Sequence, residues 1–369
     1  MSPVVSVVGG GVIGLAVAWR CAQRGRSVTL YDPTPGSGAS NVAAGMLAPV
    51  SEAYFGETAL TSLLLASARQ WQSFAAELAP YGDPGYRTEG TLLVALTGDD
   101  LAEAERLWRY QQSLGLPVSR LPAAELRQHE PVLHPRVRGG ALASSDHQAD
   151  PRRLVTALHA AAAQAGVRFE TTTVTDISGL EGEVVVAAGC GSAALTGLPV
   201  RPVKGQVLRL RAPDGQPGFR HVIRGWADGR RVYLVPRADG EVVVGASEEE
   251  RTDTVPTAGA ALELLRAATD LVPELAEYEL AEVCVGHRPG TPDNAPILGR
   301  LSDRVVVATG HYRHGVLLTP ATADAIAELV VSGVAPALIE GFGPARFATG
   351  SGPARFAAAS RPVADRRKM

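Results

Sequence analysis

Three glycines in the spacing Gly9-x-Gly11-x-x-Gly14 follow a β-branched run, Val4 to Val8, and open a stretch of helical apolar spacing from Val12 to Arg24. Each glycine has its own task. Gly9 permits a tight turn, Gly11 lets backbone approach a pyrophosphate with no Cβ in the way, and Gly14 lets the helix lie close on the strand. The first helical residues, Val12 and Ile13, bring N–H donors and the positive end of the helix dipole to the same point. Asp32 follows the next strand-like run, Val28 to Tyr31, where a carboxylate meets ribose hydroxyls and repels a 2′-phosphate. The chemistry to expect is dinucleotide binding, with NADP disfavoured and NAD and FAD both open.

Other reactive side chains form weaker patterns. His311 and His314 are spaced like a metal pair, but they lie on a turn, GHYRHG, with no third ligand evident, so no metal is expected. Neither a serine nucleophile elbow nor a P-loop occurs. Cys21, Cys190 and Cys284 are odd in number and far apart, which indicates neither a disulfide framework nor a thiolate metal site.

Positioning the glycine turn takes a βαβ unit, and the first 32 residues have its length and pattern. A loop of small residues follows, GSGASNVAAGML (36–47), then a helical stretch from Leu60 to Leu78. A strand is predicted from Tyr86 to Leu96, an amphipathic helix from Asp99 to Leu114, and a short helix from Pro122 to Glu130. Residues 151–166 form a helix with Pro151 in its first turn and Gly166 as its stop. Short strands are expected near Arg168 to Thr175 and Glu183 to Ala187. From Pro202 to Ser247 the pattern becomes antiparallel β (VLRLR, RVYLVPR, EVVVGAS), and a helix, Ala258 to Leu271, follows. A strand at 305–309, the turn 310–315 and a helix at 320–332 complete the ordered chain. GPARFA at 343–348 recurs at 352–357, and 348–369 reads as a mobile tail.

Composition bounds the function. A net charge of −3 over 369 residues gives no basic surface for nucleic acid. Hydrophobic residues at 46 % against 20 % charged ones fit a folded body, while 40 glycines and 26 prolines imply many turns without a fibrous period. The apolar start is interrupted by glycines and ends at Arg20, too short for a membrane span and without a basic leader, so a cytoplasmic protein is expected.

The second strand leads into the small-residue loop and an antiparallel region rather than further βαβ units, a pattern suited to a long cofactor enclosed by two lobes. Six blocks carry a closer resemblance: VVGGGVIGLAVAWRCAQRG (7–25), GSGASNVAAGMLAP (36–49), PVKGQVLRL (202–210), YLVPRADGEVVVGAS (233–247), GHRPGTPDNAPILGR (286–300) and TGHYRHGVLLTPATA (309–323). In this order they resemble the glycine oxidase and D-amino-acid oxidase family of FAD enzymes, and within it the glycine oxidases that serve thiamine biosynthesis. The likeness runs to about Phe347.

The resemblance implies an α/β (α+β overall) architecture, a Rossmann-type FAD-binding domain with an interleaved antiparallel-sheet substrate domain. It puts 1–82, 140–204 and 284–347 in the first and 83–139 and 205–283 in the second. Non-covalent FAD is implied, because Cys284 is spaced too far from the TPD element for the covalent link of related sarcosine oxidases. Ser40, Asn41, Ala44, Gly45 and Met46 match the loop along the cofactor. Val174 matches a backbone contact to adenine, and Ala188 and Gly189 match a turn by the pyrophosphate. Gly310, Arg313, His314, Gly315, Val316 and Leu317 match the last cofactor segment. Arg288 matches the guanidinium that binds substrate carboxylate, Tyr233 the phenol aimed at that carboxylate, and Arg313 a group at the flavin face. No catalytic base is assigned.

Oxidative deamination of glycine, with sarcosine and small D-amino acids as further substrates, is the implied activity. Molecular oxygen is the implied acceptor and a homotetramer the implied assembly. A D-amino-acid or sarcosine oxidase or dehydrogenase of the same fold is the alternative. Glu248 stands where some glycine oxidases carry an apolar residue near the substrate.

Overall fold

The structure is a computed structural model that describes residues 3–214 and 218–347. The stretch 348–369, expected as a mobile tail, lies outside the described residues. Val4–Val8 forms a strand because its β-branched side chains are covered on both faces, and it sits inside a six-stranded sheet. The order is Ile297–Arg300, Val305–Thr309, Glu183–Val186, Val4–Val8, Ser27–Tyr31, Arg168–Glu170. All pairs are parallel except the first. The helix Val12–Gln23 packs between Pro151–Gln164 and Thr319–Ser332, with Leu15, Val17 and Trp19 fully covered.

A second, eight-stranded sheet runs Glu279–Gly290, Arg201–Arg211, Glu241–Gly245, Arg230–Pro236, Val222–Ala227, Thr91–Ala95, Gly139–Ala143, Val118–Pro122. It is antiparallel apart from the Val222–Ala227 pairing with Thr91–Ala95. One helix, Ala258–Leu271, covers its outer face through Leu264, Ala267, Ala268 and Leu271. The architecture is thus α/β with an interleaved, largely antiparallel second sheet. The sheets exchange strands at slightly different points from the expected boundaries: 140–143, 201–204 and 284–290 belong to the eight-stranded sheet.

Two local differences have physical causes. The helix expected over Leu60 to Leu78 is two helices, Thr58–Ala68 and Trp71–Leu78. Ser67 Oγ and Trp71 Nε1, one on each side of the break, both donate to the Leu317 carbonyl, at 2.7 and 2.8 Å. The strand Glu279–Gly290 was not anticipated. The segment pairs along nearly all of Arg201–Arg211, and that distant pairing makes it a strand.

Candidate functional site

In a largely parallel sheet, loops at the carboxyl ends of the strands converge, and that edge is where ligands sit. Val4–Val8, Glu183–Val186 and Val305–Thr309 are adjacent, so their loops bring together Gly9 to Gly14, Ala188 with Gly189, and Gly310. Contacts fix this grouping: Ala187 N–H donates to Val8 O at 2.8 Å, and Thr309 Oγ1 donates to Gly189 O at 3.1 Å. Gly9 has φ +107°, and a Cβ there would lie 2.5 Å from Ala187 O; a Cβ on Gly14 would lie 1.8 Å from Gly9 O. Both glycines are therefore demanded by backbone approach. Gly11 differs, since a Cβ there would meet only Ser40 Oγ, at 3.2 Å, and its outer side is open.

Asp32 follows Ser27–Tyr31 and shapes this turn. Its two carboxylate oxygens accept from Gly10 N–H at 2.6 Å and Thr34 N–H at 2.8 Å. Ser40 Oγ accepts from Val12 N–H at 3.1 Å, drawing the small-residue loop over the helix start, and the N-cap residue, Gly11, has no side chain to take the N–H groups that follow. A cleft of about 360 Å³ lined by Pro35, Gly36, Ser37, Asn41 and Arg152 adjoins it. An open Gly11, a helix start whose next N–H groups, those of Ile13 and Gly14, meet no side-chain acceptor among the described residues, and the small residues of the 36–47 loop make a cradle that fits a pyrophosphate. Val174 and Ala188 pack with Val8, Val186 and Val307 beside this edge. Val316 and Leu317 are buried, and Gly315 begins the turn that leads into Thr319–Ser332.

The eight-stranded sheet supplies the other wall. Partners directly opposite in antiparallel strands share a face, so Arg224, Tyr233, Gly245, Val207 and Cys284 form one row across five strands. Arg288, Gly286 and Gly205 lie on the same face by alternation. Ala44, with Val42 and Met46 beside it, packs on that face with Val207, Val222, Val235 and Tyr233. Arg237 fastens the loop by donating to Ala44 O at 2.5 Å, and Gly45 O accepts from Ala149 N–H at 2.9 Å.

Two glycines let the polar side chains lie flat here. A Cβ on Gly245 would be 2.3 Å from Tyr233 Oη, and one on Gly205 would be 2.4 Å from Arg288 Nη1. Arg288 donates to Ser247 O at 3.3 Å, and no carboxylate pairs with it among the described residues. Burial raises the Tyr233 phenol above its ordinary pKa, opposed by the guanidinium of Arg288, so it stays a neutral donor. Tyr312 N–H donates to Pro289 O at 3.0 Å, which ties the 310–315 turn to the strand carrying Arg288. Arg313 is exposed, 5.0 Å over the Tyr312 ring, and Tyr312 Oη donates to Glu248 at 2.7 Å.

Sequence reasoning missed Glu52, Arg224, Gly205 and Gly245. Arg224 pairs with one oxygen of Glu52, and His314 Nδ1 lies 3.3 Å from the other. Burial drives the imidazoles of His314 and His311 toward the neutral form, the latter down to about 3. His311 instead lies 3.1 Å from Thr322 Oγ1, and no cluster able to hold a metal occurs among the described residues. Strand alternation in VIRGWA could have put Arg224 beside Tyr233, whereas Glu52 had no signal beyond being a lone charge after an apolar run.

Comparison with known proteins agrees with this geometry. A bifunctional ThiO/ThiG protein of Trichormus variabilis is 34% identical over 365 residues, covering 93% of this chain and 55% of its own length. The chain thus spans about half the length of that relative. Glycine oxidase of Geobacillus kaustophilus is 34% identical over 353 residues, covering 88% of this chain and 92% of its own. The crystal structure of glycine oxidase from that organism superposes with a TM-score of 0.85 at 32% identity, covering 93% of this chain and 98% of its own. The family model described as FAD dependent oxidoreductase (DAO) matches residues 5–329, a span holding both the glycine cradle and the Tyr233–Arg288 face. With cradle, sheet face and sequence in agreement, the chain belongs to the FAD dependent oxidoreductase family, and FAD is its cofactor.

Proposed function

We propose that the protein is a glycine oxidase that also accepts sarcosine or small D-amino acids; with glycine it forms the imine, which water hydrolyses to glyoxylate and ammonia, while oxygen takes up the two electrons to give hydrogen peroxide. The observation that carries this reading is Arg288, a guanidinium with no carboxylate partner among the described residues, beside the neutral Tyr233 phenol on the sheet face that closes over Ala44 and Met46. A guanidinium binds a carboxylate through paired N–H donors, and the phenol adds a third donor to the same group. With its carboxylate so held, an amino acid presents its α-carbon in one orientation, and orientation is the protein's main contribution to hydride transfer. When bound, FAD supplies a two-electron acceptor that oxygen reoxidises to give hydrogen peroxide.

Cradle residues Gly9, Gly11, Val12, Ile13, Gly14, Asp32 and Ser40 would hold the nucleotide end, and Ala44, Gly45, Met46 and Gly310 to Leu317 the ring end. The cofactor lobe in this reading is 1–82, 140–204 and 284–347, and the substrate lobe 83–139 and 205–283, adjusted at the strand ends given above. A cytoplasmic homotetramer supplying thiazole synthesis for thiamine completes it. Similarity to the bifunctional ThiO/ThiG protein and to a protein of Rhizobium etli named as a thiamine biosynthesis oxidoreductase ThiO supports the thiamine role, and free Cys21, Cys190 and Cys284 accord with a reducing compartment. Steady-state rates with glycine, sarcosine and D-alanine, read by hydrogen peroxide release, test the assignment. Glycine is expected to give the highest kcat/KM; a preference of about tenfold for D-alanine would refute the glycine assignment.

A further inference from the structure

Three guanidiniums, those of Arg224, Arg288 and Arg313, gather around a site read above as taking one carboxylate. They are balanced unequally. Arg224 is paired with Glu52, whose side chain is 12% exposed. Arg288 has a carbonyl as its partner, while Arg313 lies over the Tyr312 ring and in the field of Glu52 and Glu248, so that Glu52 offsets it as well. The cation paired with a carboxylate is thus the one directly opposite Tyr233 in the sheet, on the Tyr233 side chain's own face.

Glu52 is not a surface partner that swings away. Asp146, itself fully buried, accepts from Val50 N–H at 3.0 Å and Ser51 N–H at 3.2 Å. Gln111 Nε2 donates to Ser51 O at 3.3 Å and Ala53 O at 3.2 Å. The backbone on either side of Glu52 is clamped, and His314 Nδ1 lies 3.3 Å from the carboxylate oxygen that Arg224 does not take. Removing one member of such a pair leaves a cation with an unmet demand for an anion.

We propose that Glu52 is a specificity-determining residue: by occupying Arg224 it leaves Arg288 as the guanidinium that receives a carboxylate, and so restricts the site to amines bearing one carboxylate. This rests on the reading that the substrate is an amino acid held at Arg288. With Glu52 neutralised, Arg224 becomes a second anion site on the other side of Tyr233, and dicarboxylates gain over monocarboxylates.

The test uses the FAD-loaded protein and two unreactive probes, acetate and succinate, whose binding is read from perturbation of the flavin absorption spectrum. In the native enzyme succinate is expected to bind no more tightly than acetate. In Glu52→Gln the succinate-to-acetate affinity ratio is expected to rise about tenfold, and in Glu52→Gln/Arg224→Gln it should return to the native value. An unchanged ratio in Glu52→Gln, or a rise that survives in the double variant, overturns the proposal. So does native enzyme that already binds succinate about tenfold more tightly, a result needing no variant to fold. Glycine turnover does not enter these ratios, so failure to oxidise glycine would refute the reaction proposed above while the ratios still decide the role of Glu52.

Discussion

Where a guanidinium lies flat over a strand, the strand residue beneath it must lack a side chain. Gly205 meets that requirement under Arg288: a methyl group there would sit 2.4 Å from Nη1. Gly205→Ala is therefore expected to displace the fork and raise the KM for glycine about tenfold with a smaller change in kcat, since carboxylate binding is lost while the acceptor is untouched. Arg288→Ala should do more, about 2 to 5 kcal/mol in kcat/KM, because the substrate carboxylate then has no charged partner. Steady-state kinetics of both variants check the order; a Gly205→Ala enzyme with native KM would show that Arg288 binds no carboxylate. Gly9, Gly11, Gly14 and Asp32 were legible at this scale because their spacing within one short βαβ unit carries the signal, although Gly9 meets Ala187 far along the chain. Glu52 was not, since its partner Arg224 is 172 residues away and only the folded sheet joins them.

Among the elements, those with strong local signals formed nearly as their sequences indicate: Val4–Val8, Val12–Gln23, Pro151–Gln164 and Ala258–Leu271. Those decided by distant contacts did not. Glu279–Gly290 is a strand because Arg201–Arg211 pairs with it and because Gly286 has room only for Val42 above it. The segment 50–53 has no regular pattern, yet Asp146 and Gln111 fix it, and through it Glu52. Burial alone would raise the Glu52 carboxyl, but the charges around it, Arg224 foremost, outweigh it and hold it at about 2, against 4.5 when unfolded. A pKa lowered by folding means that the stability from this pair is fully present above about pH 4.5 and is lost as the pH falls toward 2. Thermal unfolding should find Glu52→Gln less stable than the native enzyme by about 3 kcal/mol near neutrality, the gap closing below about pH 4.5. A gap that does not change with pH would show that the loss is one of packing.

Across the whole molecule, the chain passes between two sheets several times, so that each wall of the site is built from segments far apart in sequence. The cradle belongs to the parallel sheet and the Tyr233–Arg288 face to the antiparallel one, and the loop 40–47 is fastened to both, through Val12 and Arg237. The order of the six sequence blocks carried the fold class, while the positions at which strands change sheets depend on pairing and shifted by a few residues. In the proposed function both walls serve one reaction: FAD on the first, a small amino acid held by its carboxylate on the second. The most direct measurement is the absorption spectrum of the purified protein under argon, before and after glycine is added. Bands at about 370 and 450 nm that bleach with glycine and return in air are the predicted result. A flavin spectrum that glycine leaves unchanged would contradict it.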